Sequence, residues 1–596
     1  MTRYTAPLTD IRFALFDVLG AEALFQRLPG LESATPDIVD AVLEEAAKFA
    51  EQVLAPINHS GDQEGCVLDK ASASVTTPKG FKEAYATYVE GGWSTLTTPE
   101  KFGGQGLPET VGAIVKEFID SANVSWGNFP MLSHGSVEAL KAHGEAWQQE
   151  VFLKPITDGR WTGTMCLTES HCGTDLGLLK TRAEPQADGS YSITGTKIFI
   201  TAGEHDLTEN IVHLVLARLP DAPPGVKGIS LFIVPKFKVG KDGTVGERNS
   251  LAVGSIEHKM GIKASVTCVM NFDQAEGWLI GAPNKGLNAM FTMMNTARLA
   301  VGVQGLGLIE RAYQNALAYA RDRLQMRALT GPKFPEKPAD PLIVHPDVRR
   351  MLLTQKAFAE GGRVLALYAY LQHDISMHST DAAEAKRGEE LVSFLTPIVK
   401  GLLTELAQEC TYDAVQIFGG HGYIAETGVE QYARDARITT LYEGTTQIQA
   451  NDLLGRKILA LQGAGLKHFL GEISAFCQDN ASNTELGEFV APLAIVTREW
   501  SDLTQEVAKR AQGSADEIGA AAVDYLFYSG YVALAYFWAR SVAAAATSKQ
   551  PSDFREAKRH TARFYFMRIL PRIHAHGAAI RAGADTLMAM PDVQFG

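Results

Sequence analysis

One carboxylate in the sequence stands in an unusual place. In LYEGTTQIQ, residues 441–449, Glu443 lies between an aromatic residue and a glycine. A solvated surface acid is the ordinary interpretation of such a pair. The alternative is a carboxylate in an apolar corner, which is more basic than one in water because burial disfavours its charged form. Such a group is useful where a proton must be accepted.

Three further stretches carry residue types that could hold a flat, polar cofactor. CLTESHCGTDLGLLKTRA, 166–183, follows a strand with hydroxyl and glycine residues that offer N–H and O–H donors. GTKIFITAG, 195–203, places Phe199 and Thr201 on one strand face, where a ring could stack and a hydroxyl bond its edge. The first is a weak signal alone, and the second also fits an ordinary core strand.

The third stretch, QIFGGHGYI at 416–424, is rich in glycine inside a helical region. Glycine permits close approach of the backbone to a diphosphate, and it equally ends helices. The stretch is not the strand-anchored GxGxxG of a nicotinamide site.

The surrounding sequence predicts the elements that must position these residues. DIVDAVLEEAAKFAEQVL and ETVGAIVKEFIDSA have helical periodicity, whereas YSITGTKIFITA, NIVHLVLARL and GISLFIVPKFKV are β-rich. Helical patterns then return, interrupted by the Pro-rich loop at 330–341. We therefore predict a mainly α fold with a central β domain. Its expected parts are an N-terminal extension 1–36, an α domain 37–160, a β domain 161–285, a helical domain 286–465 and an additional helical domain 466–596.

The composition limits the partners. Fifty-five basic against 68 acidic residues give a net charge of −13, which argues against nucleic acid. The locally basic segment 558–581 is interpreted as a charged helix face, with a polyanion site as the alternative.

The apolar run 525–539 falls short of the roughly 20 residues of a membrane span and is expected to be a buried helix or subunit contact. Six scattered cysteines without a CxxC pair favour a reducing cytoplasm and no metal site.

Taken in order, the stretches resemble the acyl-CoA dehydrogenase family over about residues 40–460. That family has CxTEPxxGSD, KxWIT, RxxFG, QxxGGxG and YEGT, and this chain has CLTESHCGTD, KIFIT, RDRLQM, QIFGGHG and YEGT. Each piece is common, but the set is highly specific. Three positions depart from the pattern: Ser170 replaces proline, Phe199 tryptophan and Met326 phenylalanine. The implied fold has an N-terminal helical domain, a middle β-barrel-like domain and a C-terminal four-helix bundle.

The resemblance also implies FAD as cofactor. Thr168 and Thr201 would bond the edge of the isoalloxazine ring, Phe199 would lie against it, and Thr174 matches the family serine near the pyrophosphate. The residues implied to reach the ADP half of an FAD that is held mainly by the neighbouring subunit are Arg323, Gln416, Gly419 and Gly420. Thr445 and Gln447 would complete the cofactor site after the catalytic turn.

Family members remove the α-proton of an acyl-CoA thioester with a carboxylate while the β-hydride goes to flavin N5. Glu443 matches that base. The backbone N–H of Glu443, together with a ribityl hydroxyl of the flavin, would polarise the thioester carbonyl. Gly444 would leave room for the carbonyl to approach that N–H. Some members place the base directly before an arginine on an earlier helix, but here Ala297 precedes Arg298. Asn295 and Arg298 are expected either to face the substrate or CoA, or to pack their helix against its neighbours.

The extensions, about 35 residues in front of the common core and about 130 behind it, match the long family members and imply a homodimer. YTAPLTDIRF and ASNTELGEFVAPLAIV resemble bacterial members that oxidise 3-(methylthio)propanoyl-CoA to methylthioacryloyl-CoA in dimethylsulfoniopropionate degradation. The alternatives are a fatty acyl-CoA dehydrogenase of β-oxidation, an acyl-CoA oxidase and, remotely, a flavin-containing DNA-binding relative. Electron-transfer flavoprotein is the implied partner.

Overall fold

The computed structural model describes residues 3–596, so the first two residues of the expected N-terminal extension lie outside it. The chain divides into two compact units. Unit 1 contains the described residues up to Ala47, Pro108–Ser121 and Val301–Gly596; unit 2 contains Lys48–Leu107 and Ala122–Ala300. The five-part division expected from the sequence stays a prediction.

Helices make up most of the chain, and the first nine α-helices extend to Asp322. They are α1 (Leu8–Arg12), α2 (Ala21–Arg27), α3 (Pro36–Phe49), α4 (Asn58–Glu64), α5 (Phe81–Glu90), α6 (Glu109–His143), α7 (Ala146–Gln148), α8 (Lys154–Thr157) and α9 (Gly286–Asp322). The others are α10 (Pro346–His378), α11 (Ala382–Phe418), α12 (Glu430–Thr439), α13 (Thr446–Asn451), α14 (Ala464–Asp479), α15 (Gly487–Ala511), α16 (Asp516–Thr547), α17 (Ser552–Phe564), α18 (Ile573–Ala582) and α19 (Asp585–Met588).

The strands lie in unit 2. They are β1 (Val67–Asp69), β2 (Ser74–Thr76), β3 (Trp161–Cys166), β4 (Arg182–Pro185), β5 (Tyr191–Thr201), β6 (Asn210–Arg218), β7 (Ile229–Pro235), β8 (Phe237–Val239), β9 (Val245–Arg248), β10 (Leu251–Ile256) and β11 (Thr267–Ile280). In the main sheet β11, β5, β4, β6 and β7 pair in a closed circuit, because β7 pairs with both β6 and β11. The mainly α fold with a barrel-like β domain is therefore confirmed.

The side-chain pattern explains which strands are buried. In β6, NIVHLVLAR, every residue except the last is buried, as expected for a continuous apolar run covered on both faces. β5 is only partly buried, with Ile193, Lys197 and Ile200 as its buried residues, and its register with β11 shifts beside Phe199. This β-bulge changes which side chains face outward at the end of the strand.

A buried ionic network anchors both predicted extensions to the helical core of unit 1. Arg363 in α10 is fully buried and donates to Glu117 and Glu310, each at 2.6 Å, and to Asp10 of α1. Lys558 of α17 bonds the same Asp10. Buried charges of this kind are tolerated because each is paired.

The predicted apolar run 525–539 lies within α16, a helix of 32 residues that is longer than the run indicated. By length and composition alone α16 could cross a membrane, but 67% of its apolar window is buried inside the structure. It packs against α10, α11, α15 and α18. The interpretation as a buried helix is therefore supported.

The locally basic segment 558–581 lies on helices whose cations meet acidic side chains of unit 1. The ion pairs are Arg559–Glu488, Arg563–Glu488, Arg572–Glu409, Arg581–Glu499 and Arg581–Glu506. The segment is thus a charged helix surface held against its own chain.

Candidate active site

The turn that carries Glu443 has a strained backbone. It follows α12 and precedes α13, and Glu443 adopts φ +55° while Gly444 adopts φ +87°. A left-handed conformation costs a non-glycine residue about 1–2 kcal/mol. Strain of this kind persists only where neighbouring groups hold it, and it occurs often at functional sites.

Side chains from two helices hold this turn. Gln449 of α13 donates its amide to the carbonyl oxygen of Glu443 at 2.9 Å. Lys400 of α11, which is fully buried, donates its ammonium to the carbonyl oxygen of Gly444 at 2.7 Å. Thr446 bonds Glu405 of α11 at 2.5 Å. A hydrogen bond to a charged group contributes about 1.5–3 kcal/mol, enough to offset the strain.

Gly444 is required by space as well as by conformation. A Cβ atom at this position would lie 2.8 Å from the side-chain nitrogen of Gln449 and 3.1 Å from a methyl carbon of Ile448. Because its φ also lies in the left-handed region, any larger residue would shift the turn. Thr445 then caps α13 by accepting a hydrogen bond from the Ile448 N–H at 3.4 Å, and Gln447 is exposed.

The surroundings of Glu443 are only partly accessible to water. The residue is half-buried, and its Oε2 is shielded from solvent. The adjacent Tyr442 donates its hydroxyl to Gln304 at 2.5 Å. Burial, together with the carboxylates of Asp120 and Glu443, raises the pKa of Tyr442 well above its ordinary value. The phenol of Tyr442 is therefore neutral.

A second predicted group lies where α9 and α11 end. Tyr319 of α9 stacks on Phe418 of α11 with ring centroids 4.1 Å apart and an interplanar angle of 16°. This contact brings together Arg323, which follows α9, and the exposed Gln416, Gly419 and Gly420. Gly419 has φ +60° and ends α11, so one predicted alternative, a helix-ending turn, is present. Added Cβ atoms on Gly419 and Gly420 would meet nothing within 4 Å, which leaves their backbone open to a ligand.

In unit 2, Thr168 and Thr174 lie on the loop after β3. Thr168 is half-buried, and its backbone carbonyl accepts the Ile198 N–H of β5 at 2.9 Å, whereas Thr174 is exposed. A buried ion pair fixes the same loop to the same strand: Lys197 donates to Glu169 and to the Leu167 carbonyl, both at 2.9 Å. The loop and β5 therefore form one assembly.

Glu169 is an acid held in its charged form. Burial alone would raise the pKa of Glu169, but the Lys197 ammonium and hydrogen bonds from Thr181 and Lys180 outweigh it and lower the pKa to about 2. Donor atoms of Glu169, His171 and Cys172 lie within 4.8 Å of one another, which is close enough for a metal ion. The neighbouring ammonium repels such a cation, so the cluster is better explained by the ion pair.

Phe199 and Thr201 lie beside this loop at the end of β5. Phe199 sits in the bulge with φ +58°, and its ring is 60% exposed. Thr201, two residues on, is half-buried and pairs with Thr267 of β11. The bulge holds an aromatic face outward beside hydroxyl groups, and this donor set fits the face and polar edge of a flat heteroaromatic ring.

The predicted substrate residues lie in α9. Asn295 is exposed, whereas Arg298 is buried and the preceding Ala297 is also buried. Ala297, directly before Arg298, carries no carboxylate.

Several residues that support these groups were missed by sequence reasoning. Lys400 stands alone among apolar residues in FLTPIVKGLL, and Lys197 occupies a core position of an alternating strand. A lone charge at an apolar position signals a buried, paired group, and that signal was available. Gln449, Gln304 and Glu405 carry no comparable signal, because polar helix residues are ordinarily solvated.

Four family models match successive parts of the chain. They are the acyl-CoA dehydrogenase N-terminal domain over residues 37–160, its middle domain over 164–275, its C-terminal domain over 284–458, and an acetyl-CoA dehydrogenase C-terminal-like domain over 469–591.

Full-length relatives match as well. The chain is 42% identical to a 3-methylmercaptopropionyl-CoA dehydrogenase of Ruegeria pomeroyi, covering 98% of this chain and 99% of the relative. It is 35% identical to a broad-specificity linear acyl-CoA dehydrogenase of Mycobacterium tuberculosis, covering all of both chains.

Solved structures share the fold. An acyl-CoA dehydrogenase complexed with FAD from Bacillus anthracis matches with a TM-score of 0.75 at 19% identity, covering 94% of this chain and 90% of that one. A chain in a structure of the electron transferring flavoprotein of Acidaminococcus fermentans matches with a TM-score of 0.58 at 26% identity, covering 70% of this chain and 97% of that one.

Proposed function

Because this chain belongs to the acyl-CoA dehydrogenase family, whose members are FAD-dependent oxidoreductases, we propose that Glu443 is the base that removes the α-proton of an acyl-CoA thioester. The observation that carries this proposal is the turn itself. A half-buried carboxylate is held in a left-handed conformation and is followed by a glycine that tolerates no side chain. A base needs such fixed placement at contact distance from a weakly acidic carbon.

The residues of the turn have separate tasks in this proposal. The carboxylate of Glu443 takes the α-proton, and the backbone N–H of Glu443 donates to the thioester carbonyl, which stabilises the developing enolate charge. Gly444 keeps the approach to that N–H open. FAD, held by the residues named below, would supply the acceptor for the β-hydride.

The cofactor contacts are proposed on the matched motifs and on the donor set. Thr168 and Thr201 supply hydroxyls to the ring edge, Phe199 supplies an aromatic face, and Thr174 serves the pyrophosphate. The remaining proposed contacts are Arg323, Gln416, Gly419, Gly420, Thr445 and Gln447. Asn295 and Arg298 are proposed to serve the acyl-CoA.

We propose 3-(methylthio)propanoyl-CoA as the substrate, as the name of the 42% identical relative indicates for that protein. The reaction removes one proton from the α-carbon and one hydride from the β-carbon, and it gives methylthioacryloyl-CoA. A straight-chain acyl-CoA is the second candidate, because a relative 35% identical over the full length is a broad-specificity linear acyl-CoA dehydrogenase.

For the electron acceptor we propose electron-transfer flavoprotein, supported by the family assignment. We also propose that the protein is a homodimer. We propose the cytoplasm as its compartment, because its six free thiols suit a reducing environment.

Anaerobic titration tests the function directly. The purified yellow protein is mixed with 3-(methylthio)propanoyl-CoA and, separately, with butanoyl-, octanoyl- and palmitoyl-CoA, and the bleaching rates are compared. Fastest bleaching by the methylthio substrate supports the proposal, and fastest bleaching by a straight chain selects the second candidate. Rapid peroxide formation in air without an electron-transfer protein would identify an oxidase instead.

A further inference from the structure

Lys400 is a buried lysine whose hydrogen bond is directed at the turn of Glu443. It lies in α11 with no exposed surface, and its ammonium is 2.7 Å from the carbonyl oxygen of Gly444. α11 packs directly against α13, the helix that begins right after the turn. The lysine therefore connects the rigid core of unit 1 to the backbone that follows the carboxylate.

Two successive carbonyl groups of the turn are tied down in this way. The amide of Gln449 donates a hydrogen bond to the carbonyl oxygen of Glu443 at 2.9 Å, and the ammonium of Lys400 donates one to the carbonyl oxygen of Gly444. The orientation of a carbonyl reports the ψ angle of its own residue, so these two bonds fix ψ at Glu443 and at Gly444. Both residues have positive φ, which makes the turn dependent on such restraints.

Another lysine of unit 1 has side-chain partners. Lys457, in the same unit, bonds the hydroxyl of Ser393 at 2.7 Å and lies 4.0 Å from the carboxylate of Asp452. Lys400 donates a charge-assisted hydrogen bond to a backbone carbonyl of the turn. Burying an ammonium is costly, and an apolar side chain of similar volume would fill the same space in α11.

We propose that Lys400 is a positioning residue that holds the carboxylate of Glu443 in its working orientation through the Gly444 carbonyl. This inference rests on the proposed role of Glu443 as the base. Lys400 acts on the rate of proton removal, because its bond to the Gly444 carbonyl holds the backbone that orients the carboxylate of Glu443.

The test compares Lys400→Met with the matched control Lys457→Met. Both proteins are assayed for FAD content, for the dissociation constant of an acyl-CoA in the oxidised protein, and for the single-turnover rate of flavin reduction. Exchange of the α-deuterium of labelled acyl-CoA with solvent measures proton removal separately. For Lys400→Met we expect a 10- to 100-fold loss in reduction and exchange rates with a dissociation constant within threefold of wild type. Lys457→Met should keep both rates.

Lys400→Gln, which retains a shorter donor, should lose less rate than Lys400→Met and provides a second variant for the same comparison. Wild-type reduction and exchange rates in either Lys400 variant would overturn the inference, as would a loss confined to FAD content or to acyl-CoA binding. Failure of the proposed function is a different result: acyl-CoA would then not bleach even the wild-type flavin.

Discussion

The side-chain amide of Gln449 lies 2.9 Å from the carbonyl oxygen of Glu443, six residues earlier in the chain. The first turn of α13 thus reaches back over Gly444 and Thr445 to hold the backbone of the carboxylate residue. The orientation of Glu443 is set by a helix, and the turn behaves as part of the core of unit 1.

Gly444→Ala should disturb this arrangement directly. The new Cβ would meet Gln449 at 2.8 Å, and alanine is strained at φ +87°. With strain of about 1–3 kcal/mol, we expect the rate of flavin reduction by acyl-CoA to fall about 10- to 100-fold. Stopped-flow absorbance measures the rate.

Gly471→Ala is the matched control for that variant. Gly471 lies inside α14, and a Cβ there would meet nothing within 4 Å. We expect a gain in stability of about 0.5–1 kcal/mol and an unchanged reduction rate. An unchanged rate in Gly444→Ala as well would show that the turn is not the catalytic element.

Phe199→Ala should separate cofactor binding from stability. Its ring is 60% exposed, so its removal should change the free energy of unfolding by less than about 0.5 kcal/mol. If the ring faces the flavin, the dissociation constant of FAD should rise about 2- to 10-fold, since an aromatic contact contributes about 0.5–1.5 kcal/mol. Fluorescence titration of the apoprotein with FAD measures it.

Val245→Ala, at a 48% exposed position on β9 of the same unit, should leave FAD binding unchanged. Phe199→Trp, which restores the residue usual in the family pattern, should keep affinity. Equal FAD affinity in wild type and Phe199→Ala would remove Phe199 from the cofactor site.

The ion pair that fixes the Thr168 loop predicts a pH dependence. The pKa of Glu169 is lowered from 4.5 to about 2, so its contribution to stability is complete well above pH 4.5 and is lost as the pH falls toward 2. Glu169→Gln lacks this titration. Between pH 7 and pH 4 the unfolding free energy of wild type should fall by about 1 kcal/mol more than that of Glu169→Gln.

Urea unfolding at both pH values, followed by tryptophan fluorescence, gives this difference. The same pH dependence in the two proteins would mean that Glu169 is not charged against Lys197 in the folded state.

Much of the fold could be predicted because local patterns decide it. The Pro-rich loop at 330–341 separates α9 from α10 as expected, and the apolar run of β6 forms a buried strand. The family resemblance implied a barrel-like domain, but local patterns could not show its closure through β7, because closure depends on pairings between strands distant in sequence.

In the candidate site too, local motifs could be predicted from the sequence, whereas contacts between distant residues could not. The Glu443–Gly444 pair is visible in the sequence because its residue types and motif are local. The Lys400 bond to Gly444 spans 44 residues, and no local pattern connects the two. Phe199 was expected in a regular strand, but a β-bulge gives it a positive φ that alternation does not predict.

Single-turnover reduction of the flavin in Glu443→Gln tests the central claim most directly. The amide keeps the size of the side chain but cannot take the α-proton. The variant should retain FAD and bind acyl-CoA as wild type does, while its rate of flavin reduction should fall by at least the roughly 100-fold typical of a removed general base. Complete bleaching at the wild-type rate would contradict the assignment of Glu443 as the base.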